Sequence, residues 1–142
     1  MTTAAPITVL VADDNPYVHT LVRRILSDEF QIVGSAMDGE DLVHAARQLS
    51  PDVVVVDVGM PRVNGIEAVR RLRGWHPPAV VFLTSHGDQE MVNQARAAGG
   101  MGYVLKQCAC EELADAIYSA LRNEPYVSVQ IGSGAADSRS SA

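Results

Sequence analysis

The 142-residue chain predicts an α/β fold: an open, doubly wound parallel sheet with helices on both faces. Three observations predict it. Apolar segments rich in β-branched residues alternate with helical patterns five times. One of those segments carries Val53, Val54, Val55 and Val56 without interruption, which marks a strand covered on both faces. The polar residues that break the apolar strands stand at their carboxyl ends, the rim where such sheets bind ligands.

The first strand, 7–12, runs into Asp13-Asp14. Asn15 suits the cap of the first helix, and Pro16 takes its first position, where a missing N–H costs nothing. Val18, Leu21, Val22, Ile25 and Leu26 then form one apolar stripe. A second strand at 31–36 leads to a helix carrying Leu42, Val43, Ala46 and Leu49, ending before Pro51. The third strand, 52–57, ends in Asp57. Its helix carries Ile66, Val69 and Leu72 and closes near Gly74, with Pro77 and Pro78 beyond. The fourth strand, 79–84, ends in Thr84 and Ser85; a helix at 89–98 presents Met91, Val92 and Ala95 and stops at Gly99-Gly100. The fifth strand, 102–106, ends in Lys106, and a helix at 111–122 turns Leu113, Ile117 and Leu121 inward.

From Glu124 the pattern fades. Residues 125–131 suit one short extended piece, and 132–142, rich in Gly, Ser and Ala, read as disordered. The expected division is a disordered start at 1–6, one folded domain at 7–123 and a linker-like tail at 124–142.

Composition narrows the functions. A formal charge of −6 disfavours a nucleic-acid surface, which needs clustered Lys and Arg. The basic residues that do cluster, Arg23-Arg24 and Arg70, Arg71 and Arg73, fall within amphipathic helix patterns. No apolar run approaches the roughly 18–20 residues that span a bilayer, and residues 1–6 lack the features of a signal peptide. A cytoplasmic protein without a membrane partner is expected. Cys108 and Cys110 stand too close for an ordinary disulfide and lack the His partners of a zinc site, so they read as reduced thiols.

The chemistry gathers at the strand ends. Asp13, Asp14 and Asp57 on one rim would repel one another unless a cation sat among them, and an oxygen-only ligand set of this kind suits Mg²⁺. Lys106 on the same rim suits an anion approaching that metal, and Thr84 supplies a hydroxyl donor. Metal, amine and hydroxyl around one carboxylate fit phosphoryl transfer, where catalysis is mostly positioning and charge neutralisation. Taken singly each residue has an ordinary explanation: acidic partners of a helix N-terminus, a turn aspartate, a surface lysine. Their joint placement on four strand ends does not.

The chain resembles the receiver domain of two-component response regulators, from about residue 7 to residue 122. The resemblance is carried by Val9-Leu10-Val11-Ala12-Asp13-Asp14, by Asp57-Val58-Gly59-Met60-Pro61 with Asn64-Gly65, by Leu83-Thr84-Ser85, and by Gly102-Tyr103-Val104-Leu105-Lys106. It implies a flavodoxin-like (βα)5 fold with strand order 2-1-3-4-5, which sets the first and third strands side by side. It implies that Asp57 is the phosphoacceptor, receiving its phosphoryl group from the phosphohistidine of a sensor histidine kinase or phosphotransfer protein. Asp13, Asp14 and Asp57 with the Gly59 backbone carbonyl would hold Mg²⁺, while Thr84 and Lys106 would bind phosphoryl oxygens. Thr84 and Tyr103 would form the switch: as the hydroxyl moves toward the phosphate, the ring turns inward and biases a two-state equilibrium at the face of the fourth helix, fifth strand and fifth helix. Such a domain is a signalling receiver that promotes only its own phosphorylation and dephosphorylation. A homodimer through that face, or through the first and fifth helices, is compatible with the pattern.

The departures are informative. Gln107 follows Lys106 where many receivers have proline. That feature, with Ser85-His86 and Glu111-Glu112-Leu113, resembles the transcriptional regulators typified by the nitrate/nitrite and nitrogen-fixation regulators, whose helix-turn-helix domain is not among these residues. Tyr126-Val127-Ser128 resembles the linker leading to it. Gly59, without a side chain, and His86 are candidates for setting the phosphate lifetime. Two rivals remain at this point. A haloacid-dehalogenase-type phosphatase would want a second aspartate where Gly59 stands. A partner-binding module that had lost phosphorylation would normally lack one of Asp13, Asp14, Asp57 or Lys106.

Overall fold

The computed structural model describes residues 6–60, 63–74, 77–85 and 89–128. The five expected strands are β1 (Ile7–Ala12), β2 (Phe30–Ala36), β3 (Val53–Asp57), β4 (Ala79–Thr84) and β5 (Gly102–Leu105). The helices between them are α1 (Pro16–Leu26), α2 (Gly39–Leu49), α3 (Gly65–Leu72), α4 (Gln89–Ala98) and α5 (Ala109–Leu121). The strands lie parallel in the order β2-β1-β3-β4-β5-β6, so the expected order holds and gains a strand, β6 (Tyr126–Val127).

The valine run explains the layering. Val54 and Val56 join Leu10, Leu42, Val69, Phe82 and Val92 on the face covered by α2, α3 and α4. Val53 and Val55 join Val9, Val22, Leu83, Leu113 and Ile117 on the face covered by α1 and α5. The period of two along a strand therefore feeds two separate cores. All four valines are at most 1% exposed. Burying each contributes about 1.5–3 kcal/mol, enough together to offset ending the same strand in a carboxylate, Asp57, that is only 8% exposed.

Local chemistry fixes the helix starts. The Asn15 side chain accepts from Tyr17 N–H at 2.9 Å with Pro16 at the first position, Asp38 accepts from Asp41 N–H at 2.8 Å, and Asn64 accepts from Glu67 N–H at 2.9 Å. Gly99, at φ 118°, ends α4 in a conformation that only glycine adopts freely.

Two boundaries shift. Lys106 does not extend β5; it opens a single 3-10 turn, Lys106–Cys108, that runs directly into α5, which therefore begins at Ala109 instead of Glu111. Of the extended piece expected at 125–131, 129–131 lie outside the described residues, and Tyr126–Val127 form β6, parallel to β5 with Gly102 opposite Tyr126 and Tyr103 opposite Val127. It covers the edge that β5 would otherwise present unpaired. Ser128 N–H donates to Tyr103 C=O at 2.9 Å, and the fully buried Ser128 hydroxyl bridges Leu105 N–H and the Glu112 carboxylate. Cys108 is buried and Cys110 exposed, both free thiols.

Helix α3 meets β3 through Gly65, whose N–H donates to Val58 C=O at 2.9 Å. A Cβ there would overlap the Asp57 carbonyl oxygen and press on Val56 Cγ1 at 2.8 Å. Gly65→Ala is therefore expected to cost about 1–3 kcal/mol by overpacking, read by urea unfolding. Gly74→Ala, where a Cβ would meet no atom within 4 Å, serves as the control.

Candidate functional site

Sheet register assembles the site. Ala12 pairs with Val56, so Asp13 and Asp57 each lie one residue beyond the same rung. Asp57 pairs with Leu83, which places Thr84 one step further, and Thr84 pairs with Leu105, which places Lys106 one step beyond that. Four neighbouring strands thus deliver their polar ends to one rim.

Asp13, Asp14 and Asp57 each offer a carboxylate oxygen, and these oxygens lie within 4.8 Å of one another. Asp13 is 1% exposed and Asp57 8%, while Asp14 faces solvent. Lys106 Nζ stands 2.9 Å from Asp13 Oδ2 and 3.6 Å from Asp57 Oδ1. The closer contact pairs the ammonium with a buried carboxylate oxygen, Asp13 Oδ2. Among the described residues, these three negative charges against the Lys106 ammonium leave −2, the charge a divalent cation would neutralise. The buried oxygen and the all-carboxylate donor set both fit a hard cation.

Electrostatics follow from this crowding. Burial, then the charge of Asp13, pushes the Asp57 carboxyl above its ordinary value; Lys106 and the Gly59 N–H, 3.4 Å from Asp57 Oδ1, offset part of the rise. Burial alone would lower Lys106, but Asp13 and Asp57 outweigh it and hold the ammonium above its ordinary value.

The other expected residues divide. Thr84 is buried at the end of β4. Tyr103 is 3% exposed, its ring inside the α2–α4 core at a centroid distance of 6.4 Å from Phe82. Gly59 is exposed, and a Cβ there would meet nothing within 4 Å. His86 lies outside the described residues. A groove of about 560 Å³ opens at the opposite end of the sheet, lined by Pro51, Val69, Leu72, Pro78 and Met101, and contains none of the rim residues.

Sequence reasoning missed how tightly Asp13 is held. Its N–H donates to Ala36 C=O at 3.0 Å, and its Oδ1 accepts from Asn15 N–H at 2.8 Å. Its own carbonyl accepts from His19 Nε2 at 2.7 Å. The available signal was spacing: His19 lies one helical turn into α1, directly after the acidic pair.

Fold and site define a receiver, and the family model for the response regulator receiver domain matches residues 9–118. The chain belongs to this family, whose function is phosphorylation-based signalling. It is 40% identical over 128 residues to the response regulator GacA of Pseudomonas aeruginosa, a match covering 88% of this chain and 60% of that protein. The chain thus spans about 60% of the length of that curated relative. Among solved structures it is similar to a LuxR-family two-component response regulator from Aurantimonas, at TM-score 0.87 and 30% identity over 95% of this chain and 99% of that one. It is also similar to the receiver domain of the putative response regulator NarL from Mycobacterium tuberculosis, at TM-score 0.80 and 27% identity over 85% and 100%. These relatives agree with the subgroup the sequence resembles.

The raised Asp57 pKa has a sign that can be tested. Between 3.8 and the higher folded value the native state binds more protons than the unfolded chain, so stability is lost as pH rises through that window. In metal-free buffer Asp57→Asn is expected to be more stable than wild type at pH 7. The gap should close below pH 3.8, where Asp57 is protonated in both states. Urea unfolding at several pH values measures it.

Proposed function

We propose that the chain is a phosphorylatable switch in which Asp57 accepts a phosphoryl group from the phosphohistidine of a sensor kinase or phosphotransfer protein. The observation that supports this best is the acidic cluster with the Lys106 ammonium, a site whose charge of −2 among the described residues invites a divalent cation beside a buried carboxylate at the end of β3.

In this reading Asp13, Asp14, Asp57 and the Gly59 carbonyl hold Mg²⁺, which when bound neutralises charge on the phosphoryl oxygens. An Asp57 carboxylate oxygen forms the new P–O bond as the P–N bond breaks, and the electron pair leaves with the donor imidazole. Lys106 gives up part of its contact with Asp57 to the incoming oxygens, and Thr84 donates its hydroxyl to another. Water attacking phosphorus later returns free phosphate and the carboxylate. The protein thereby promotes its own phosphorylation and dephosphorylation and turns over no other substrate.

Thr84 and Tyr103 form the switch in this proposal. They sit on adjacent strands behind the phosphoacceptor, and the tyrosine ring already lies inward. Movement of the hydroxyl toward a phosphoryl group changes the space available to that ring, and the outcome is read at the α4-β5-α5 face by a partner or a second copy. The output we assign is transcriptional control, as in the relatives. The site of action we assign is the cytoplasm, and no described helix is long and apolar enough to cross a membrane.

Incubation with Mg²⁺ and acetyl phosphate or phosphoramidate is expected to add one phosphoryl group by intact mass, lost in Asp57→Ala and in EDTA. Absence of an adduct, and of any response to beryllofluoride, would favour a module that only binds partners. Gly59→Glu and His86→Ala are expected to alter the dephosphorylation rate. Unchanged rates in both would remove these positions from control of the phosphate lifetime.

A further inference from the structure

We infer that His19 is a positioning residue for the cation site, orienting Asp13 and Asp14 together through the peptide that joins them. The inference rests on the receiver reading above and names a residue to which that reading gives no role.

His19 is a polar side chain on the buried face of α1, only 9% exposed, among Val18, Val22 and Leu26. Burying an imidazole there is costly unless it makes a specific contact. It makes one. Nε2 lies 2.7 Å from the Asp13 carbonyl oxygen, while Nδ1 is buried without a partner among the described residues. A carbonyl only accepts, so Nε2 carries the proton.

The location of this bond gives it its consequence. The Asp13 carbonyl belongs to the rigid peptide plane that also contains the Asp14 nitrogen. A donor fixed on that oxygen therefore sets the direction in which the chain enters Asp14. The preceding plane is already fixed by Asp13 N–H to Ala36 C=O at 3.0 Å, and the Asp13 carboxylate by Asn15 N–H at 2.8 Å. Asp14 is exposed and has no comparable anchor among the described residues. His19 thus supplies the restraint that the second carboxylate lacks. An outer group of this kind is worth about 10–100-fold in metal affinity. A histidine that merely filled the core would not aim its proton at the carbonyl between two acidic residues.

Three proteins test it: wild type, His19→Phe, which keeps ring volume without the donor, and His19→Gln, whose amide nitrogen takes the place of Nε2. Mg²⁺ affinity is measured by calorimetry, and thermal stability separately in EDTA. The expected result is about 10–100-fold weaker Mg²⁺ binding in His19→Phe, with affinity largely restored in His19→Gln and both variants folded in EDTA. Equal affinity in wild type and His19→Phe overturns the inference, as does equal loss in the Phe and Gln variants. Failure of wild type itself to bind Mg²⁺ overturns the receiver reading as well, so the two failures are distinguishable. Should His19→Phe not fold, wild type still decides: the His19 Nε2–H resonance must shift on Mg²⁺ saturation and return with EDTA, and a static resonance refutes the coupling.

Discussion

Everything at the rim depends on one electrostatic constraint: three carboxylates gathered within 4.8 Å, one of them closing a strand of buried valines, with the Lys106 ammonium among them. Such an arrangement is unfavourable by itself. Lys106 relieves only part of it, because one positive charge must serve both Asp13 and Asp57. The remaining imbalance is held in place by packing, through apolar burial on both faces of β3 and by a helix seated on Gly65. Function is stored here as an unbalanced charge that a rigid sheet keeps from relaxing.

Much of this was legible in the sequence because it rests on period and position. The run Val53 to Val56 could only be a strand covered on both faces, and Asp57 at its end followed from the same count. Asp13, Asp14, Thr84 and Lys106 were found by asking which polar residues stop an apolar strand. The register then showed why they meet: Asp13, Thr84 and Lys106 each lie one step beyond a paired rung, and Asp14 follows Asp13.

What escaped the sequence depends on tertiary contact. The extended piece expected at 125–131 gave no sign of its partner: β6 is two residues long, too short to show a period, and it pairs because β5 offers it an edge. His19 interrupts an apolar stripe, and pattern reading passes over a polar residue whose meaning lies in a bond to a carbonyl six residues earlier. Gly65 and Gly59 look alike in sequence. One is seated against the Asp57 carbonyl and the other borders open space, so the first is required by packing while the second leaves room for approach to Asp57.

The direction of β6 has a consequence of its own. Because it runs parallel to β5, the chain passes the Tyr103 carbonyl and reaches Ser128 heading toward the phosphoacceptor end of the sheet. There it is moored at two points, to Leu105 N–H and to Glu112, one residue short of Lys106 along β5. An antiparallel strand would have carried the chain to the opposite pole, beside the groove lined by Pro51 and Pro78. Ser128 therefore closes this stretch beside Leu105, one position before the lysine. The parallel pairing thus brings the end of β6 and the chemistry to the same end of the sheet.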